Sequence, residues 1–111
     1  MKLSILALAS VFSLGSCQSD SVHAFGSTWY GGNSQTIPLD AECTSLDRDL
    51  TRAVGSLLIP RPLPGYMIEC HLFLNDDCDG QFVIFHVSQP DLFNTIGVVG
   101  RRTTSIRCLI D

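Results

Sequence analysis

Lysine is nearly absent. Lys2 is the only one, six arginines follow it, and eleven acidic residues outweigh them to leave a formal charge of −4 over 111 residues. Nucleic-acid binders neutralise phosphates with clustered Lys and Arg, so this balance excludes that class of partner. Beyond the N-terminal region no apolar run is long enough to cross a bilayer, so no transmembrane segment is expected. There is no Asn-x-Ser/Thr sequon, because Asn33, Asn75 and Asn94 all fail at the third position. A Gly-rich phosphate loop and a Ser nucleophile elbow are missing too. These absences argue against an enzyme and imply no cofactor.

What is present begins with "MKLSILALASVFSLGS", one Lys followed by an apolar stretch from Leu3 to Leu14. That is a short charged region and a hydrophobic region too short to span a membrane, which reads as a secretory leader. Val22-His23-Ala24 fits the small-residue cleavage rule, so the expected division is a leader over 1–24 and one domain over 25–111. Cleavage near Gly15 or Ser16 is the other site, and Leu14-Gly15-Ser16-Cys17 also resembles a bacterial lipobox with Cys17 as the lipidated residue. Five cysteines is an odd count for a secreted chain. Once Cys17 leaves or carries lipid, Cys43, Cys70, Cys78 and Cys108 remain, and four cysteines in a small secreted domain read as two disulfides. A domain this small is marginal without them.

Short apolar runs separated by turn residues follow. Strands are expected at Gly26–Tyr30, at "TIPL" and at Gly55–Ile59, and the weak helical period over Cys43–Val54 reads as a short helix or a long connection. "PRPLPG" (Pro60 to Gly65) is a rigid connection. In the second half Tyr66–Leu74 alternates Ile68, Cys70, Leu72 and Leu74 onto one face, and further strands are expected at Gln81–Val87, Thr95–Gly100 and Thr104–Ile110. Such spacing means a β-sandwich or barrel. Each half ends in a Ser followed by an apolar strand, Ser56 and Ser105, which hints at an internal duplication.

One stretch is specific. Phe73, four spacers, Cys78, one spacer and Gly80, followed by "QPDLFN" and "TSIRC" with Ser105, resembles a βγ-crystallin Greek-key motif in which Cys78 takes a seat usually held by an aromatic. The resemblance covers about 40 residues of the second half. In the first half Ser56 fits, while the corner near Trp29-Tyr30 looks degenerate. It implies an all-β, βγ-crystallin-like Greek-key sandwich of two four-stranded antiparallel sheets with two disulfides, its motifs lying at about 25–62 and 66–111. Gly80 would supply positive φ, Phe73 would pack across the corner, and Ser105 would satisfy backbone groups of the folded hairpin. Size and cysteine count place the chain beside small secreted fungal members of that group, including killer-toxin-like proteins, and the leader has a fungal character.

The acidic turn Asn75-Asp76-Asp77-Cys78-Asp79-Gly80 matches the first half of an EF-hand loop, but the twelfth position is His86 where a bidentate acid is needed. Calcium-binding relatives of the resembled family carry an acidic pair shortly before the motif Ser. Here those pairs are Thr51-Arg52 and Gly100-Arg101, so no strong calcium site is expected. His71 and His86 on neighbouring strands lack a third zinc ligand, and bridged cysteines are not nucleophiles.

Four cysteines allow three pairings. A short hairpin loop favours Cys70–Cys78 with Cys43–Cys108, which is the expectation taken. Adjacent first and fourth Greek-key strands favour Cys70–Cys108 with Cys43–Cys78. The functional expectation is a secreted, extracellular, monomeric interaction protein, effector-like or a toxin-like antimicrobial, whose partner is an unknown protein or cell-surface target. Its candidate contacts are Arg101, Arg102 and the pair Trp29 and Tyr30, which reads either as core of the first motif or as an exposed aromatic contact. The alternatives are an inhibitor of a secreted protease, with "PRPLPG" as the rigid loop, and a structural extracellular protein.

Overall fold

The computed structural model describes residues 21–111. Residues 1–20 of the expected leader (1–24), with Cys17, lie outside them. Among the described residues, seven strands form two antiparallel sheets. The strands are β1 (Ser21–Ser27), β2 (Gly31–Pro38), β3 (Cys43–Ser45), β4 (Ser56–Leu58), β5 (Ile68–Phe73), β6 (Phe82–Phe85) and β7 (Ser105–Ile110). One sheet has the order β2-β1-β4 and the other β3-β7-β5-β6.

The sheets exchange material between the halves. β3 belongs to the first half yet pairs with β7 of the second, through Cys43↔Arg107 and Ser45↔Ser105. In return, the chain after β6 comes back to the outer side of β4. There Leu57 and Gln89 exchange both backbone hydrogen bonds, at 2.9 and 2.8 Å. The Ser88 hydroxyl extends this contact, accepting from the Ile59 amide at 2.8 Å and donating to its carbonyl at 3.2 Å. Pro90 has no N–H with which to continue a ladder. The expected fourth strand of the first sheet is therefore a single bridge, and the sheets have three and four strands rather than four each.

Two apolar runs are not regular elements. Cys43–Val54 is the long connection rather than the short helix. Only its first three residues form a strand, and Leu50 and Thr51 donate back to the Asp47 carbonyl in one isolated turn that buries Leu50. Thr95–Gly100 is not a strand either. Residues Ile96–Arg101 wind as a 3₁₀ segment interrupted by left-handed backbone at Gly97 and Val98. Both runs are apolar because together they close one end of the sandwich with Leu46, Leu50, Val54 and Val99, and a cap needs no two-residue period.

The core lies between the sheets. Val22, Ala24, Ile37 and Leu57 come from one, and Ile68, Cys70, Leu72, Ile106 and Cys108 from the other. β1 starts earlier than expected. It is the central strand of its sheet, Val22 and Ala24 are fully buried, and Ser21 to Ala24 pair with Pro38 to Gln35. The expected cut after Ala24 falls inside this strand. Cleavage near Gly15 or Ser16 would leave it whole.

Both disulfides are present, with the pairing opposite to the one expected: Cys70 joins Cys108 and Cys43 joins Cys78. The register is the reason. β5 and β7 are neighbours and Cys70 stands directly opposite Cys108, with Cα atoms 4.1 Å apart, the close spacing of a non-hydrogen-bonded antiparallel pair. Cys78 sits on the corner that folds over the outer face, where Cys43 on β3 meets it.

Candidate functional site

Two folded corners dominate the surface chemistry, and they have the same construction. Between β1 and β2, residues Thr28–Tyr30 form a 3₁₀ turn. Between β5 and β6, Asp76–Cys78 do the same. The second and third residues of each turn are left-handed: Trp29 and Tyr30 at φ 56° and 62°, Asp77 and Cys78 at φ 61° and 53°. Gly32 and Gly80 follow, both at φ 78°. A Cβ at Gly32 would lie 2.7 Å from Ser27 Oγ, and one at Gly80 would overlap the Asn75 side-chain amide. Such backbone persists only where the surroundings over-determine it.

The buried serines supply that constraint. Ser56 Oγ accepts from the Tyr30 amide at 2.8 Å and donates to the Ser27 carbonyl at 2.7 Å. Ser105 Oγ accepts from the Cys78 amide at 2.9 Å and donates to the Asn75 carbonyl at 2.7 Å. Each hydroxyl thus ties the two ends of a corner and is itself fully satisfied in the core.

The first corner is not degenerate. Phe25, four spacers, Tyr30, one spacer and Gly32 repeat the spacing of Phe73, Cys78 and Gly80. Phe25 and Tyr30 pack edge-on with ring centroids 6.0 Å apart. The signal was legible in the sequence, but an expected mature terminus at Phe25 hid it, and Trp29 drew attention as the aromatic of the corner. Trp29 is 73% exposed, so it is not core. Its amide donates to the Pro90 carbonyl at 2.7 Å, which fixes the backbone beneath the projecting ring.

The outer face of the second sheet carries a packed group. His71 stacks on Phe82 at 5.0 Å, Phe82 meets Phe73 at 5.1 Å, and the Arg107 guanidinium lies 5.6 Å from the Phe73 ring. His71 Nε2 pairs with Glu69 Oε1 at 3.1 Å. That hydrogen bond holds the Glu69 carboxyl below the ordinary glutamate range, while the neighbouring Glu69 side chain raises the carboxyl of Asp111. His86 is turned elsewhere, with Nδ1 3.1 Å from the Ile68 carbonyl.

The loops preceding the two motif serines meet at one end of the sandwich. The Arg52 amide donates to the Thr103 carbonyl at 2.8 Å, and the Val54 amide to the Gly100 carbonyl at 2.9 Å. A cleft of about 430 Å³ opens there, lined by Arg52, Leu74, Asn75, Arg101 and Arg102. Arg101 and Arg102 were candidates from the sequence. Arg52 was noted only as a residue that spoils a calcium position, and the loop contact is what brings it beside them. A second cleft of about 510 Å³ shares Leu74 and Arg102 with the first and continues along Gln81, Phe82, Val83, Gly97 and Val99. Three arginines line this end of the molecule, and their positive charge opposes a bound cation.

No family model matches the chain, and no curated protein matches it. Solved structures do. The βγ-crystallin domain of Abundant Perithecial Protein from Neurospora crassa, in its Ca2+-bound form, aligns over 87% of this chain and 96% of its own at 14% identity, with a TM-score of 0.63. A βγ-crystallin domain from Flavobacterium johnsoniae covers 79% of this chain and 92% of its own at 19% identity and a TM-score of 0.60. The N-terminal domain of Protein S covers 80% and 94% at 16% identity and 0.59. At these identities the likeness establishes the fold alone: the chain has the architecture of βγ-crystallin domains.

Proposed function

We propose that this is a secreted, non-enzymatic binding protein that works outside the cell against another organism, as an effector or a toxin-like antimicrobial. The observation that carries this reading is Trp29. A large aromatic stands in solvent on a corner locked by Ser56, so it offers contact area at little ordering cost. Two disulfides suit an oxidising, protease-rich setting. A leader cut between Cys17 and Ser21 would preserve β1 and remove Cys17, leaving only the four bridged cysteines. Growth inhibition by the oxidised protein, measured against yeast, a filamentous fungus and a bacterium, tests it. Trp29→Ala should abolish inhibition, or capture of a target from host tissue, while leaving the unfolding midpoint unchanged. Full activity in that variant overturns the role of Trp29.

A second reading is inhibition of a secreted protease. Leu63 is 73% exposed in the middle of the Pro60–Gly65 connection, where prolines restrict the backbone on both sides. A protease panel with Leu63→Asp as control separates the two readings.

A further inference from the structure

We propose that the joined cleft between the loops and β6 binds a single free amphiphile, an anionic head on an alkyl chain. The cationic half presents three guanidinium groups. Among the described residues the only ion pair is His71–Glu69, so no carboxylate bridges Arg52, Arg101 or Arg102, and none lines either half of the cleft. Arg101 is held by the ring of Phe93, with its guanidinium carbon 4.4 Å from the centroid. Asp91, whose charge Arg101 also feels, is already occupied: its oxygens accept from the Phe93 amide, the Asn94 amide and the Asn94 side chain at 2.9–3.1 Å. In a chain of net charge −4, three arginines with no ion-pair partner among the described residues are a localised attraction for an oxyanion, which Asp91 beside Arg101 offsets only in part, and guanidinium forks match phosphate and carboxylate geometry.

The other half sets the rest of the ligand. Leu74, Val83 and Val99 make its wall apolar, and Arg102 stands where the two halves meet. Polar recognition is thus concentrated at one end, with an apolar track leading from it. Each half lies in the volume range of small-ligand sites. A free molecule fits better than a bilayer, because the arginines line a concavity and the net negative charge of the chain opposes an anionic membrane surface.

The test uses the oxidised protein, processed as in its own host, with monododecyl phosphate below its micelle concentration, inorganic phosphate and dodecanol as probes in calorimetry and amide-shift titration, and vesicles containing phosphatidylserine as a fourth probe in sedimentation. Saturable binding of one dodecyl phosphate is expected, with shifts at Arg52, Leu74, Val83 and Arg102 and at least tenfold weaker binding of either fragment. Arg101→Gln/Arg102→Gln should weaken dodecyl phosphate about tenfold or more, the loss of one or two charge-assisted hydrogen bonds, and leave dodecanol unaffected. Val83→Asp should weaken dodecyl phosphate and leave inorganic phosphate unaffected, and because Val83 is partly exposed on an edge strand both variants should keep the fold. Equal affinity in wild type and arginine variant, shifts elsewhere on the molecule, or binding only to vesicles containing phosphatidylserine would each overturn the proposal.

Discussion

The corner at Ser27–Gly32 and the corner at Asn75–Gly80 share backbone angles, a clamping serine and a terminal glycine, yet they are fastened differently. The first is closed by an aromatic pair, Phe25 against Tyr30, and projects Trp29. The second has Cys78 in the tyrosine seat, bonded to Cys43 on the borrowed strand β3, and projects Asp77. One backbone solution therefore accepts two kinds of fastening, because the hydroxyl clamp satisfies the strained peptide groups and leaves the side-chain seat free to vary. The second fastening also reaches further. It ties the corner to a strand from the other half of the chain, whereas the aromatic pair acts within its own hairpin.

Covalent reach should dominate stability. Cys43→Ser/Cys78→Ser is expected to cost about 2–4 kcal/mol, whereas Tyr30→Ala in the other corner loses the edge contact and part of its burial, about 1–2 kcal/mol. Urea unfolding measures both, and a larger loss at Tyr30 would reverse the ranking of the two fastenings. The serine clamps should be alike. Ser56→Ala and Ser105→Ala each strand one amide and one carbonyl, at about 2 kcal/mol apiece, and clearly unequal losses would show that the corners only look equivalent.

The glycines should differ slightly. Gly32→Ala and Gly80→Ala each force a side chain into left-handed backbone, at about 1 kcal/mol. Gly32→Ala should be the worse of the two, since its Cβ would lie 2.7 Å from Ser27 Oγ with the Ser27 amide nitrogen at 3.3 Å, whereas at Gly80 only the tip of the exposed Asn75 side chain must turn away, and Asn75→Ser should leave Gly80→Ala with its backbone cost alone in thermal melts.

The smallest effect belongs to Glu69, on the sheet face beside the second corner. Its carboxyl is lowered in the folded state, chiefly by the hydrogen bond to His71, so the stability it adds is present above the ordinary glutamate range and fades as the pH falls. The raised carboxyl of Asp111 works in the opposite direction. Glu69→Gln should lower the melting temperature slightly at neutral pH, with the difference from wild type closing on acidification. A difference that grows in acid would show that the pairing has been misread.

The amino-acid sequence by itself determined what local chemistry can encode. Gly, Pro and Asx clusters punctuate it into short strands, and Phe73, Cys78, Gly80 and Ser105 mark a folded corner. The same spacing at Phe25, Tyr30 and Gly32 was equally legible, and only an assumed cleavage point concealed it. The tertiary structure alone decided what depends on which strands become neighbours. Cys70 takes Cys108 because β5 lies against β7, β3 crosses to the other sheet, and Arg52 joins Arg101 and Arg102 because two loops far apart in the chain hydrogen-bond to each other. Residue periodicity reports the face a side chain takes within its own strand. It carries no information about the strand that will lie beside it, which is settled by how the sandwich closes over its core.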